Sequence, residues 1–208
     1  MSEPVSLSKV TLTKSAPAVS LTKRGTAGGL LRVNLNWKQP EGGGGLFRRK
    51  PKGVDLDLAC LYELSSGEKG VVQALGNSFR AHAPGVDAPV LQLDADDRSG
   101  TAAGGENLTV DLGQLPALKR VLVFAYIYEG APNWAEADAV VTLTPAQGPQ
   151  VEVRLDEHDP QARTCAIALL SNEGGELVVH REVRYVQGTQ QALDSAYGWG
   201  LQWQAGRK

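Results

Sequence analysis

The sequence predicts an all-β fold, an antiparallel β-sandwich with at most one or two short helices. Many short segments alternate apolar and polar residues with the period of two expected of half-buried strands. Glycine-, proline- and asparagine-rich turn signals separate these segments at fairly even spacing, as in sandwich folds. A helical period shows in one stretch only, Gln190 to Tyr197, where Ala192, Leu193, Ala196 and Tyr197 fall on a common face. The 208 residues fit a single domain over 1–208, since sandwiches of this length often remain undivided. Hydrophobic residues at 42% and charged residues at 21% match a folded chain with a core.

The chain opens on a repeated unit: Val5-Ser6-Leu7-Ser8-Lys9, Val10-Thr11-Leu12-Thr13-Lys14 and Val19-Ser20-Leu21-Thr22-Lys23. Each unit alternates, and three are too few for a solenoid, so a strand and its hairpin neighbour are expected. Leu31, Val33, Leu35 and Trp37 then share one strand face, with Arg32, Asn34 and Asn36 on the other. Pro40 ends this strand, and Gly42 to Gly45 begin a loop. From Val54 to Leu64, the residues Leu56, Leu58, Cys60, Tyr62 and Leu64 form one face, opposite Asp55 and Asp57. Residues 121–128 are apolar on both faces, the pattern of a central strand. Further strands are predicted at 140–144, 151–155, 164–170 and 177–186, the last two joined through Asn172-Glu173-Gly174-Gly175.

The net charge of -2 gives no global electrostatic reason to bind nucleic acid or an anionic membrane. The local basic group Arg48, Arg49, Lys50 and Lys52 reads as a solvated loop. Met1-Ser2-Glu3-Pro4 starts no charged segment followed by an apolar one, and no stretch approaches the length of about 18 apolar residues that spans a bilayer. A cytoplasmic protein without a membrane span is therefore expected. Cys60 and Cys165 lie far apart within apolar runs and read as buried small hydrophobes of a reducing compartment. His82, His158 and His180 are isolated, with His180 on the polar side of its strand. Nucleophile-elbow, phosphate-loop and dinucleotide fingerprints are all missing, so the expectation is a protein that is not an enzyme.

One segment breaks the strand pattern. Asp94 to Asn107 holds four carboxylates (Asp94, Asp96, Asp97 and Glu106) and the glycines Gly100, Gly104 and Gly105. Calcium requires six to eight oxygen ligands at short range, and glycines let a loop curl so that carbonyls join them. Two carboxylates held about 4 Å apart repel by roughly 4 kcal/mol near a protein surface. A cation removes that repulsion; Arg98 is the alternative source of positive charge, and the spacing is not that of an EF-hand. Asp55 and Asp57, two apart, project to the same side of their strand. Carboxylates on a polar strand face are ordinarily solvated, and gain significance when the 94–107 segment folds over them.

These residues carry a resemblance. Gly53-Val54-Asp55-Leu56-Asp57-Leu58-Ala59 resembles the G-x-D-[LI]-D-x-[SA] strand of the tellurium-resistance TerD family. Asp96-Asp97-Arg98-Ser99-Gly100 is similar to that family's D-[DN]-x-[TS]-G loop. Val110-Asp111-Leu112, the apolar run 121–128 and the V-S-L-x-K openings match other parts of its pattern in the right order. With Tyr128 to Trp134, the chain looks closest to the TerA-like branch. The resemblance implies a β-sandwich stress-response protein of the cytoplasm that binds calcium through Asp55, Asp57, Asp96, Asp97 and Glu106. Other stress or tellurite-resistance proteins are the partners it implies. The chain departs from the family where further acids usually continue the loop: here stand Thr101-Ala102-Ala103-Gly104-Gly105-Glu106. The alternative is a metal-free β-sandwich interaction module in which Arg98 pairs with the acids.

Overall fold

The computed structural model describes residues 9–13, 15–21, 28–38, 54–94 and 105–204. The strands are β1 (Lys9–Thr11), β2 (Ala18–Ser20), β3 (Leu30–Asn36), β4 (Asp55–Leu64), β5 (Lys69–Val72), β6 (Arg80–His82), β7 (Pro89–Leu93), β8 (Glu106–Asp111), β9 (Leu118–Glu129), β10 (Ala139–Thr144), β11 (Gln150–Leu155), β12 (Thr164–Glu173) and β13 (Glu176–Val186). Two short α-helices, α1 (Trp134–Ala137) and α2 (Gln190–Tyr197), accompany two single 3₁₀ segments at Leu75–Asn77 and Leu112–Ala117. The strands form a seven-stranded sheet, β1-β11-β10-β3-β8-β7-β6, and a six-stranded sheet, β2-β13-β12-β9-β4-β5. Every pairing is antiparallel except β1 with β11. The predicted all-β sandwich is therefore what the chain forms.

Alternation decides what is buried between the sheets. Leu31, Val33 and Leu35 of β3, Leu108 and Val110 of β8, and Val141 and Leu143 of β10 meet Leu56, Leu58 and Cys60 of β4 and Val121, Val123 and Ala125 of β9. Each fully buried aliphatic side chain contributes about 1.5–3 kcal/mol relative to leaving it in water. The six-stranded sheet is apolar on its second face as well. Ala59, Leu61, Leu122, Phe124, Tyr126 and Ala166 pack there against Leu193 of α2 and Trp199. This third layer explains why residues 121–128 read as a central strand.

Asp194 organises the layer. Its Oδ1 accepts from the Gly200 amide at 2.8 Å, and its Oδ2 accepts from the Leu201 amide and the Trp203 indole, both at 2.9 Å. Trp199 donates its indole N–H to the Tyr62 carbonyl at 3.0 Å, under an Arg120 guanidinium 3.9 Å from its ring centroid. Arg120 and Lys119 both pair with Glu63, and the Lys119 ammonium holds that carboxyl below its ordinary range.

Several elements depart from the expectation. The opening repeats do not make a hairpin: β1 lies on β11 in one sheet and β2 on β13 in the other. Sequence adjacency suggested local pairing, but Leu12 and Leu21 are each drawn into the core between the sheets. Strands β5 to β7, interrupted by Gly70, Pro84 and Pro89, and the single turn of α1 lie beyond what periodicity revealed. The run Gly42 to Gly45 and the basic group Arg48 to Lys52 lie outside the described residues.

Candidate functional site

Among the described residues, the candidate ligands Asp55, Asp57 and Glu106 lie at the end of the sandwich where β4 begins. Asp55 and Asp57 share the outward face of β4 with Ala59 and Leu61, opposite the inward Leu56, Leu58 and Cys60. The solvated face that is ordinary for such a pair is not what forms. Asp57 is 0% exposed and Asp55 is 9% exposed, and Asp57 sits in register with the buried Tyr126 of β9.

Glu106 reaches the same strand from the opposite sheet. It is the first residue of β8 and not part of a loop, and it continues the inward face of Leu108 and Val110. Its Oε2 accepts the Leu58 amide at 2.6 Å, and the side chain is buried. β5 pairs with β4 only from Cys60 onward, so the backbone of β4 near Leu58 lies beyond the reach of β5. The carboxylate caps that edge with a charge-assisted hydrogen bond, of the stronger class. The Glu106 carboxylate thus meets the backbone of β4 one residue along from Asp57.

Gly105 makes the entry possible. Its φ is +64°, a left-handed conformation that glycine adopts at little cost, and a Cβ there would lie 2.1 Å from the Leu35 carbonyl oxygen. Only a glycine lets the chain pass β3 and turn the next side chain inward.

The remaining acid of the stretch has a different role. Asp94 Oδ1 accepts the Asn107 amide and Oδ2 accepts the Asn107 side-chain amide, both at 2.8 Å. The Asp94 amide donates in turn to the Asn107 carbonyl at 2.9 Å, and Asn34 donates to Asn107 Oδ1 at 2.9 Å. Asp94 is a clamp that closes the base of the acidic segment. Its pairing with Asn107 was readable only as two polar residues flanking a glycine-rich run. On the neighbouring side, Trp37 donates its indole N–H to the Val54 carbonyl at 2.9 Å, holding the end of β3 beside the start of β4.

Of the five predicted ligands, the structure brings Asp55, Asp57 and Glu106 to one end. Asp96 and Asp97, with Arg98, lie outside the described residues. Among the described residues, no three side chains of His, Cys, Asp or Glu converge closely enough to hold a metal by themselves. Carboxylates withdrawn from water require positive charge or hydrogen-bond donors around them. An oxygen-only donor set of this kind fits calcium, and gives softer metals neither thiolate nor imidazole.

Elsewhere the sequence reading of single residues holds. Cys60 and Cys165 are buried; desolvation pushes the Cys60 thiol up to about 12 and the Cys165 thiol well above its ordinary value. His180 stands at the surface with its Nε2 2.9 Å from Glu173 Oε1.

The chain is 44% identical, over 207 residues, to the tellurium resistance protein TerA of an Alcaligenes species. The match takes in 98% of this chain and 60% of that protein. The chain is a TerA-like member of the tellurium-resistance family. This TerA-like chain spans 60% of the length of its relative. No family model matches it. No helix among the described residues is long and apolar enough to cross a membrane.

Proposed function

We propose that this TerA-like chain is a non-enzymatic, cytoplasmic stress-response protein that contributes to tellurium resistance, and that it binds calcium at the β4–β8 end of the sandwich. The relative named for tellurium resistance supports the first part. The burial of Asp57 and Glu106 at the same end of β4, with Asp55 next along the strand, carries the second. Asp55, Asp57 and Glu106 supply fixed oxygens from two rigid strands. Asp96 and Asp97 complete the set from the segment whose base Asp94 and Asn107 close. Calcium supplies the positive charge that lets these acids approach, and joins the two sheets through β4 and β8. Partners are other stress or tellurite-resistance proteins.

A second reading keeps the fold and dispenses with the metal: Arg98 neutralises the acids, and the chain acts as an interaction module. Thr101-Ala102-Ala103-Gly104-Gly105, standing where the family's loop usually carries further acids, favours it. Calorimetric titration with calcium separates the two. Saturable binding that is lost in Asp57→Asn supports the calcium protein, and no heat at millimolar calcium supports the module.

A further inference from the structure

A cleft opens on the outer side of the six-stranded sheet. Its volume is about 330 Å³, and it lies between the turn after β5, the start of α2 and the final described residues. Gln73, Gln190 and Gln191 contribute side-chain amides, Thr189 a hydroxyl, and Leu75 and Trp203 apolar surface. Among the described residues its lining holds no ionisable side chain.

Trp203 and Gln73 of the lining are each held in place. Trp203 cannot rotate without breaking its 2.9 Å hydrogen bond to Asp194, which is itself buried and bonded to two backbone amides. Gln73 is buried, and its backbone bridges to Ser78 while its Oε1 receives the Gln190 amide at 3.4 Å. Thr189 is the N-cap of α2 but does not fold its side chain back onto the helix. The result is a fixed indole beside several groups that both donate and accept.

That combination selects its ligand by chemistry. With no ionisable side chain among its described lining residues, that lining gives anions and cations no advantage over water. Side-chain amides match vicinal hydroxyls, which also donate and accept, and an indole edge or face takes the C–H surface of a pyranose ring. Pockets of this type are mainly apolar with a few placed polar groups, and the volume suits one or two sugar rings. We infer that the Gln73–Trp203 cleft is a binding site for a neutral carbohydrate.

The test is an NMR titration of the full chain, labelled with ¹⁵N, using glucose, galactose, maltose and trehalose, with glucuronate and glucose 6-phosphate as charged counterparts. At least one neutral sugar is expected to shift the Trp203 indole N–H and the Gln73 and Gln190 side-chain amides, with a dissociation constant of about 1–10 mM. Trp203→Ala should abolish the shifts. Because that change also removes a partner of Asp194, Gln190→Ala and Gln191→Ala serve as surface variants that keep the fold, and each should weaken binding about threefold or more. The inference is overturned if no neutral sugar moves these resonances. It is equally overturned if only the charged sugars do, or if the surface variants bind as the parent does.

Discussion

The Glu106 carboxylate accepts the Leu58 backbone amide at 2.6 Å, and so ties the first residue of β8 in one sheet to the edge of β4 in the other. Replacing Glu106 by Ala leaves a buried N–H without its acceptor, at about 1–3 kcal/mol. For a chain of this size that lowers the melting midpoint by roughly 2–12 °C. Glu106→Gln keeps an acceptor and removes the charge, so its metal-free midpoint should stay near that of the parent. Thermal unfolding followed by circular dichroism in EDTA checks both. Equal losses in the two variants would show that charge, not the hydrogen bond to Leu58, holds this corner.

Gly105→Ala should be among the most damaging single-methyl changes in the protein. The added Cβ meets the Leu35 carbonyl at 2.1 Å on a backbone with φ +64°. Left-handed backbone alone costs an L-residue about 1–2 kcal/mol, and the clash adds to it. A fall in midpoint of at least about 5 °C is expected from the combined cost. Gly67→Ala is the control, since its φ of +90° brings the strain without a neighbour within 4 Å. If the two variants melt together, the close passage at Leu35 has no energetic weight.

The thiols should be inert in the native protein. Burial pushes Cys60 up to about 12 and Cys165 in the same direction, so both stay protonated at neutral pH, and the thiolate is the reactive form. Modification by a disulfide reagent at pH 8 should proceed only as fast as the chain unfolds, and both thiols should react at once in guanidinium. The linkage has a definite sign. The folded pKa lies above the unfolded one, so the stabilisation is complete below pH ~9 and is lost as pH rises from there towards 12. Denaturant midpoints flat to pH 9 and falling above it are expected. Rapid labelling of the native chain would contradict the buried placement.

The sequence disclosed the sandwich because most strands carry their own alternation. The residues of β3, β10, β11 and β13 announce which face is buried without reference to a partner. It disclosed less where neighbours decide. Asp55 and Asp57 look like a solvated pair on local pattern, since the fold that buries them brings together distant parts of the chain. Ala59 and Leu61 belong to the same face, and their burial depends on α2 and Trp199, more than a hundred residues away. Glu106 follows a glycine-rich acidic run, which hid its place at the head of the Leu108–Val110 face. The opening repeats were legible as strands, but their partners β11 and β13 could not be read from units that resemble one another.

The most direct test of the account is the melting midpoint of the full chain with and without calcium. A ligand that binds only the folded state adds about 2.7 kcal/mol at a hundredfold excess over its dissociation constant. Each kcal/mol moves the midpoint of a chain this long by roughly 2–4 °C, so saturating calcium should raise it by about 5–10 °C. Magnesium should do less, because it demands near-octahedral geometry and sheds water reluctantly. Asp57→Asn, Asp96→Ala, Asp97→Ala and Glu106→Gln should each remove most of the shift. A wild-type midpoint unmoved by millimolar calcium would contradict the calcium site and leave Arg98 as the counter-charge of these acids.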